Sequence, residues 1–188
     1  MSLAHVILGL LQQQQRTGYD LKTECFNQTI AHLWPADQAQ IYRTLDKLES
    51  QEWITCQVEI QIDRPNRKVY SLTAAGEAEL QRWLQTPQPL TPGRDPQLIQ
   101  LYFAGQLPEA TIAKILQQQL SAHRQKLAEC EAIASRSEVP RLVTDAQLCA
   151  RQHSIQQLVL DWLVQRERAQ IFWLETLLDR FNQSSSGS

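Results

Sequence analysis

Three observations on this 188-residue chain predict a mainly α-helical fold with one small β-hairpin. Apolar residues recur at helical spacing through most of its length, two short segments within 57–72 alternate instead, and prolines cluster between 87 and 96. The helix ending near residue 50 bears Arg43 and Lys47, and the hairpin after it bears Arg64, Arg67 and Lys68. A helix that can enter a DNA groove beside a basic two-stranded arm that can lie along phosphates is the layout of a winged helix-turn-helix. Beyond the prolines, the pattern predicts a C-terminal α-helical dimerisation domain.

Ser2 is placed to cap a first helix in which Leu3, Val6, Ile7, Leu10 and Leu11 form one apolar stripe. Gln12 to Gln15 extend or fray it, and Arg16-Thr17-Gly18 breaks it. A second helix opens at Tyr19, turns Leu21, Cys25 and Phe26 inward, and ends before Pro35. Asp37 starts a third helix in which Ile41, Leu45 and Leu48 share a face. At about 100° per residue its other side holds Gln40, Arg43, Asp46, Lys47 and Ser50, with Gln38 near its start and Tyr42 on the shoulder. Glutamine can hydrogen-bond base edges, and arginine can fork onto guanine or a phosphate. A solvated polar face would look the same on the helix alone.

Val58, Ile60 and Ile62 alternate with Gln57, Glu59 and Gln61, predicting a half-buried strand, and Tyr70 and Leu72 predict its partner. Asp63-Arg64-Pro65-Asn66-Arg67 supplies turn formers between them, with Arg64, Arg67 and Lys68 at the tip. Thr73 caps a fourth helix carrying Leu80, Trp83 and Leu84. Pro87, Pro89, Pro92, Gly93 and Pro96 then make a stiff connector. The expected organisation is a DNA-binding domain over 1–85, a connector over 86–96, a helical domain over 97–181 and a disordered tail or expression scar over 182–188.

In the helical part, Leu98 to Phe103 forms a short apolar segment. Ile112, Leu116, Leu120, His123, Leu127, Cys130 and Ala134 then step by threes and fours, a near-heptad seam of paired helices. A last helix over about 145–181 carries Leu148, Ile155, Leu158, Val159, Trp162, Leu163, Phe172, Trp173, Leu177 and Phe181. That stripe is wider than one partner helix covers, which predicts a second copy of the chain against it. Leu116, Leu120, Leu127, Ile155, Val159, Trp162 and Trp173 are the dimerisation candidates. His123 on the seam is expected to be a core or interface imidazole, and Trp34, Trp83, Trp162 and Trp173 packing residues rather than the walls of an aromatic pocket.

Composition bounds the remaining classes. The chain is 43% hydrophobic and 20% charged, which argues against wholesale disorder. No run of 18 apolar residues and no basic leader is present, so a cytoplasmic protein that does not span a membrane is expected. Cys25, Cys56, Cys130 and Cys149, like the four histidines, are dispersed without metal spacing. Neither a nucleophile–base pairing nor a phosphate loop is visible, so no enzyme, cofactor or metal is expected. The net charge is −2, and residues 1–85 hold eight Lys/Arg against ten Asp/Glu. Five of those eight basic residues fall on the third helix and hairpin, so placement rather than amount of charge supports DNA binding. The alternative that this acidity favours is a winged-helix and helical protein-interaction module without DNA binding.

ILGLL at 7–11, GYDL at 18–21, IYRTLDKLE at 41–49 and VYSLTAAGEAEL at 69–80 stand in an order and spacing that resembles the winged-helix domain of the PadR family of bacterial transcriptional regulators. The likeness covers about the first 85 residues. DPQLIQLYFAGQL and the two long helices resemble the C-terminal domain of the family's longer members and of related virulence activators. This resemblance implies a homodimer joined by its C-terminal helices and bound to a palindromic double-stranded DNA operator, usually as a repressor, with a small-molecule effector of unstated identity able to shift its helices. It implies that Tyr42 is the recognition-helix tyrosine and that Tyr19 opens the second helix near the DNA backbone. Arg43 stands where many members have proline. Gln51-Glu52-Trp53-Ile54 replaces the family's acidic residue, glycine, leucine and isoleucine.

Overall fold

The computed structural model describes residues 3–60, 66–90, 93–135 and 146–185. The chain divides into two compact units, one containing Met1–Pro89 and the other Leu90–Glu138 with Ala150–Ser188. The division falls inside the proline-bearing stretch.

The first unit runs α1 (Leu3–Gln13), β1 (Arg16–Thr17), α2 (α-helical over Gly18–Asp20, continuing as a π-helical turn over Leu21–Phe26), α3 (Thr29–Leu33), α4 (Gln38–Ser50), β2 (Ile54–Glu59), β3 (Arg67–Leu72) and α5 (Ala74–Gln85). Ile7, Leu8, Leu21, Phe26, Ile41, Leu45, Leu48, Ile54, Tyr70 and Leu80 are buried in one core. These are the stripes expected for α1, α2 and α4, closed by one strand residue from each side of the hairpin. Ser2, the expected cap of α1, lies outside the described residues. α1 ends at Gln13, ahead of the break expected at Arg16-Thr17-Gly18, and Arg16–Thr17 form a third strand. Arg16 pairs with Tyr70 and Thr17 with Val69, giving the antiparallel order β1-β3-β2. Two residues are too few to show a period in sequence.

The hairpin departs from expectation in where it meets the core. Val58 is 54% exposed and Ile60 84%, although a half-buried strand was expected; Ile62 lies outside the described residues. Their parity is that of Ile54 and Cys56, which do face inward. Beyond Cys56 every described residue of β2 is exposed, so the outer half of the strand packs on little of the protein. Leu84, expected to pack from α5, is 58% exposed near the helix end.

α4 closes on β2 through a Schellman motif. Trp53 N–H donates to the Leu48 carbonyl (3.0 Å) and Glu52 N–H to that of Glu49 (2.9 Å), with Glu52 at φ 58°. Thr73 then ties α5 to this corner. Its hydroxyl donates to the Glu52 carbonyl (2.7 Å) and accepts from Gly76 N–H (3.1 Å), capping the helix as expected. Gly76 is required there, because a Cβ would come within 2.0 Å of the Trp53 carbonyl oxygen.

The second unit holds α6 (Pro96–Tyr102), a 3-10 turn (Ala104–Gln106), α7 (Glu109–Ser135) and α8 (Ala146–Ser185). Asp95 caps α6, accepting from the N–H groups of Gln97 and Leu98. Ile112, Leu116 and Leu120 pack with Leu174 and Leu178, while Cys130 packs with Leu160, Leu163 and Val164. The start of α7 therefore meets the end of α8, an antiparallel pair. Of the dimerisation candidates, Leu116 and Leu120 are buried within their own chain, and Leu127 packs against the Cys130 cluster. A near-heptad spacing records that a helix has a partner without recording whose helix it is.

Inside the pair, Glu167 is 1% exposed and takes four contacts from two cations and an imidazole nitrogen: His123 Nδ1 at 2.7 Å, Arg166 at 2.8 and 3.2 Å, and Lys126 at 3.5 Å. His123 is thus a half-buried imidazole paired with a carboxylate of its own chain. Ile155, Leu158, Val159, Trp162, Phe172 and Trp173 remain exposed along α8, with the Arg166 guanidinium 5.0 Å over the Trp162 ring. α8 also runs on to Ser185, so 182–185 are helical where a tail was expected; no glycine or proline interrupts the chain before Gly187. Among the described residues, no helix is long and apolar enough to cross a membrane, and no cluster of His, Cys, Asp or Glu suits a metal ion.

Candidate nucleic-acid interface

α4 is set by a reciprocal cap. The Asp37 carboxylate accepts from Gln40 N–H (2.7 Å), and the Gln40 side-chain oxygen accepts from Asp37 N–H (2.9 Å). Lys22 donates to the Ala36 carbonyl (3.0 Å), fixing the approach of the helix from α2. With Ile41, Leu45 and Leu48 buried, Gln38, Gln40, Arg43 and Lys47 are all exposed, as their spacing requires. Two of these side chains are partly engaged already. The Gln40 oxygen serves its own helix start, leaving its amide N–H groups to face outward. Arg43 Nε donates to the Ala39 carbonyl (3.2 Å), leaving its terminal nitrogens for other partners.

Tyr42 and Tyr19 join α4 to the start of α2. Tyr42 lies over Gly18 so closely that a Cβ there would be 2.7 Å from its ring. That contact gives the glycine of the GYDL segment its reason. Tyr19 is 65% exposed beside it. Together with Asn66, Arg67 and Lys68 they border a concavity of about 400 Å³ that also includes Thr17 and Asp20. Tyr70 of β3 is buried in the core, and burial pushes its phenol up to about 12.

The wing residues are placed differently from one another. Arg64 lies outside the described residues. Asn66 precedes β3, and both Arg67 and Lys68 belong to β3 rather than to the tip, paired in register with Glu59 and Val58. Lys68 is exposed. Arg67 Nη2 donates to Asp20 Oδ2 at 2.7 Å, and the same carboxylate oxygen accepts from Thr17 N–H at 3.0 Å. Burial works to raise the Asp20 carboxyl. The hydrogen bonds from Thr17 and the Arg67 guanidinium outweigh it and hold the group below the usual carboxylate range.

Thr17 and Asp20 were missed as site residues, although T-x-x-D is a legible capping signature. The structure thus gathers Tyr19, Tyr42, Asn66, Arg67 and Lys68 around one concavity, with Gln38, Gln40, Arg43 and Lys47 on the exposed side of the adjoining helix.

Residues 7–82 match the model of the transcriptional regulator PadR-like family, and residues 93–182 match that of the virulence activator alpha C-terminal domain. The chain is 30% identical over 179 residues to the negative transcriptional regulator PadR of Bacillus subtilis, covering 94% of this chain and 95% of that one. It is 41% identical over 95 residues to a probable transcriptional regulator of Mycobacterium tuberculosis, a match spanning half of each protein. The crystal structure of Bacillus subtilis PadR in complex with operator DNA superposes with a TM-score of 0.80 at 28% identity, covering 95% of this chain and 98% of that one. The same protein with p-coumaric acid gives 0.75 at 28% identity, covering 96% and 98%. The Vibrio cholerae virulence activator AphA gives 0.73 at 27% identity, covering 97% and 99%. With both halves matched in order and a relative aligned along nearly its whole length, the chain belongs to the PadR family of transcriptional regulators.

Proposed function

We propose that this chain is a sequence-specific DNA-binding repressor that holds a palindromic double-stranded operator as a homodimer. The observation that carries the reading is the exposed polar side of α4, with Gln38, Gln40, Arg43 and Lys47, adjoining a concavity edged by Tyr19, Tyr42, Asn66 and Lys68. A helix entering the major groove reads base edges from near its start, where Gln40 and Arg43 stand. Lys47, Lys68, Arg64 and Asn66 act as anchors, attracting phosphate without reading sequence. Residues 1–85 form the DNA-binding part, 86–96 a connector, and the helical part beyond 97 the dimerisation part. In it Ile155, Val159, Trp162 and Trp173 are the interface residues.

Repression is steric in this reading. Two α4 helices in successive major grooves, about one helical turn apart, exclude polymerase from the site. A small-molecule effector, as the relative bound to p-coumaric acid suggests, would act by favouring a dimer whose α4 spacing no longer fits.

The test is a titration of the protein against the DNA upstream of its own gene, alongside an unrelated duplex, over a range of salt. Preference for the upstream duplex with a steep fall in affinity as salt rises is expected, because neutralised phosphates release counterions. Salt-independent binding, or none, would turn the reading toward a protein partner.

A further inference from the structure

Among the described residues of the wing, Arg67 makes an ion pair, and its partner is acidic. Its guanidinium, 47% exposed, reaches the Asp20 carboxylate, 19% exposed, at the start of α2. Asp20 cannot swing away freely, because Thr17 N–H and hydroxyl engage it in a capping box. Glu59, the cross-strand partner of Arg67, and Glu24 add negative field at the same point. A phosphate arriving there would meet a charge already neutralised at close range.

The arm itself has little else to fix its direction. Val58 and Ile60 are exposed, and the buried contacts of the sheet end at Cys56 and Tyr70. Its inner end is held in the core by Ile54, Cys56, Tyr70 and Leu72, and further out the two-residue pairing with β1 and the Arg67–Asp20 bridge join it to the start of α2. From Asp20 the path continues two residues back to Gly18, against which Tyr42 of α4 is packed. The bridge thus links the wing to α4 through the start of α2.

We propose that Asp20 and Arg67 form a latch that sets the angle between wing and α4, making Arg67 a positioning residue rather than a phosphate contact. This rests on the DNA-binding reading above. A wing held at the right angle lets its other cations and α4 engage one duplex together, so the latch strengthens binding without contributing a released counterion.

The experiment measures affinity of the full chain for a fluorescein-labelled duplex from upstream of its own gene, and for an unrelated duplex, across a salt series. Asp20→Asn and Arg67→Gln are each expected to weaken binding by about threefold to tenfold, and the double variant no further, since both remove one interaction. The slope of log affinity against log salt should stay that of the wild type, and Arg67→Lys, which can still pair with Asp20, should recover most of the loss. Melting temperatures within error of wild type would separate this from general destabilisation; Arg67 is half exposed, so its variants keep the reading open if Asp20→Asn weakens the cap. The latch is overturned if Arg67→Gln lowers the slope by about 0.9 per protomer while Asp20→Asn leaves binding unchanged or tightens it, the signature of a phosphate contact. It is equally overturned if no variant changes affinity. A wild-type chain that binds neither duplex removes the functional reading and the latch with it, whereas wild-type binding with indifferent variants removes the latch alone.

Discussion

In the unit holding α1 to α5, aliphatic residues from four helices and the sheet close on one another, and the large apolar side chains left outside sit on the wing or near helix ends, as Val58, Ile60, Tyr19, Leu33 and Leu84 do. In the unit holding α6 to α8, a filled seam coexists with a row of uncovered side chains: Ile155, Leu158, Val159 and Trp162 lie at three- and four-residue spacing on one helix. Scattered apolar residues need no cause, but a contiguous stripe is a surface waiting for another. The first unit is complete as a folded body and offers polar groups outward. The second satisfies part of its long helix within the chain and leaves the rest of its apolar side chains exposed.

Trp162→Asp is the strongest way to break that contrast. A carboxylate in the middle of the proposed interface would bury an unpaired charge, and a central aromatic anchor of this kind is worth about 4 kcal/mol or more, roughly a thousandfold in dimer dissociation. Light scattering at micromolar concentration should read a dimer for the wild type and a monomer for the variant. A monomeric wild type would remove the interface altogether. Leu116→Ala sharpens the same contrast from inside. That side chain is fully buried in its own chain, so truncation should cost about 3 kcal/mol in chemical denaturation while the folded protein keeps the wild-type oligomeric state.

Glu167 marks a second difference, since it is a buried carboxylate that joins α7 to α8. Burial alone would raise its carboxyl. The hydrogen bonds with His123 and Arg166 and the charge of Lys126 outweigh this and hold it below its ordinary value of 4.5. A carboxylate depressed in the folded state contributes stability that is fully present above the unfolded value and is lost as pH falls through the folded one. Glu167→Gln is therefore expected to cost about 2 kcal/mol near neutral pH and to flatten the acid-side loss of stability below about pH 4.5, read by denaturant titrations at several pH values. An unchanged acid limb would assign that loss to other carboxylates, such as Glu79, which Arg82 first and His5 second hold at about 2.

On the polar side of the contrast, Arg43→Ala should weaken operator binding by about 1–2 kcal/mol and narrow the gap between operator and unrelated DNA, if its free guanidinium nitrogens meet a base. Loss of affinity with the gap intact would make it a phosphate anchor instead.

Much of this was legible from local pattern. The Ile41–Leu45–Leu48 stripe, the Asp37 and Thr73 caps and the inward Tyr70 are set by neighbours three or four residues away, within the range of spacing arguments. What failed depended on distant partners. Val58 and Ile60 had the right parity, but parity does not say where the supporting helices stop. Leu116 and Leu120 showed pairing without identifying the partner. Arg16–Thr17 was too short a strand to announce itself, and the Asp20–Arg67 bridge joins residues 47 apart in sequence, invisible until the fold closes.

The smallest effect tests a corner that the two units do not share. At 51–54 the chain departs from the family pattern of the resemblance, which has glycine where Glu52 stands. That residue ends α4 in a left-handed conformation, φ 58°, at the position of a Schellman motif where glycine is favoured. An L side chain there costs about 1–2 kcal/mol against glycine, and glycine returns part of that through the extra freedom of the unfolded chain. The Glu52 side chain is exposed, so little packing is lost when it is removed. Glu52→Gly is therefore expected to stabilise the protein by about 0.5–1 kcal/mol, a rise of about 2–4 °C in melting temperature, with DNA affinity and salt slope unchanged. Because the Trp53 N–H bond to the Leu48 carbonyl and the Thr73 hydroxyl bond to the residue-52 carbonyl both survive the change, a fall in melting temperature would mean that the glutamate carboxylate contributes more to this corner than its backbone strain removes.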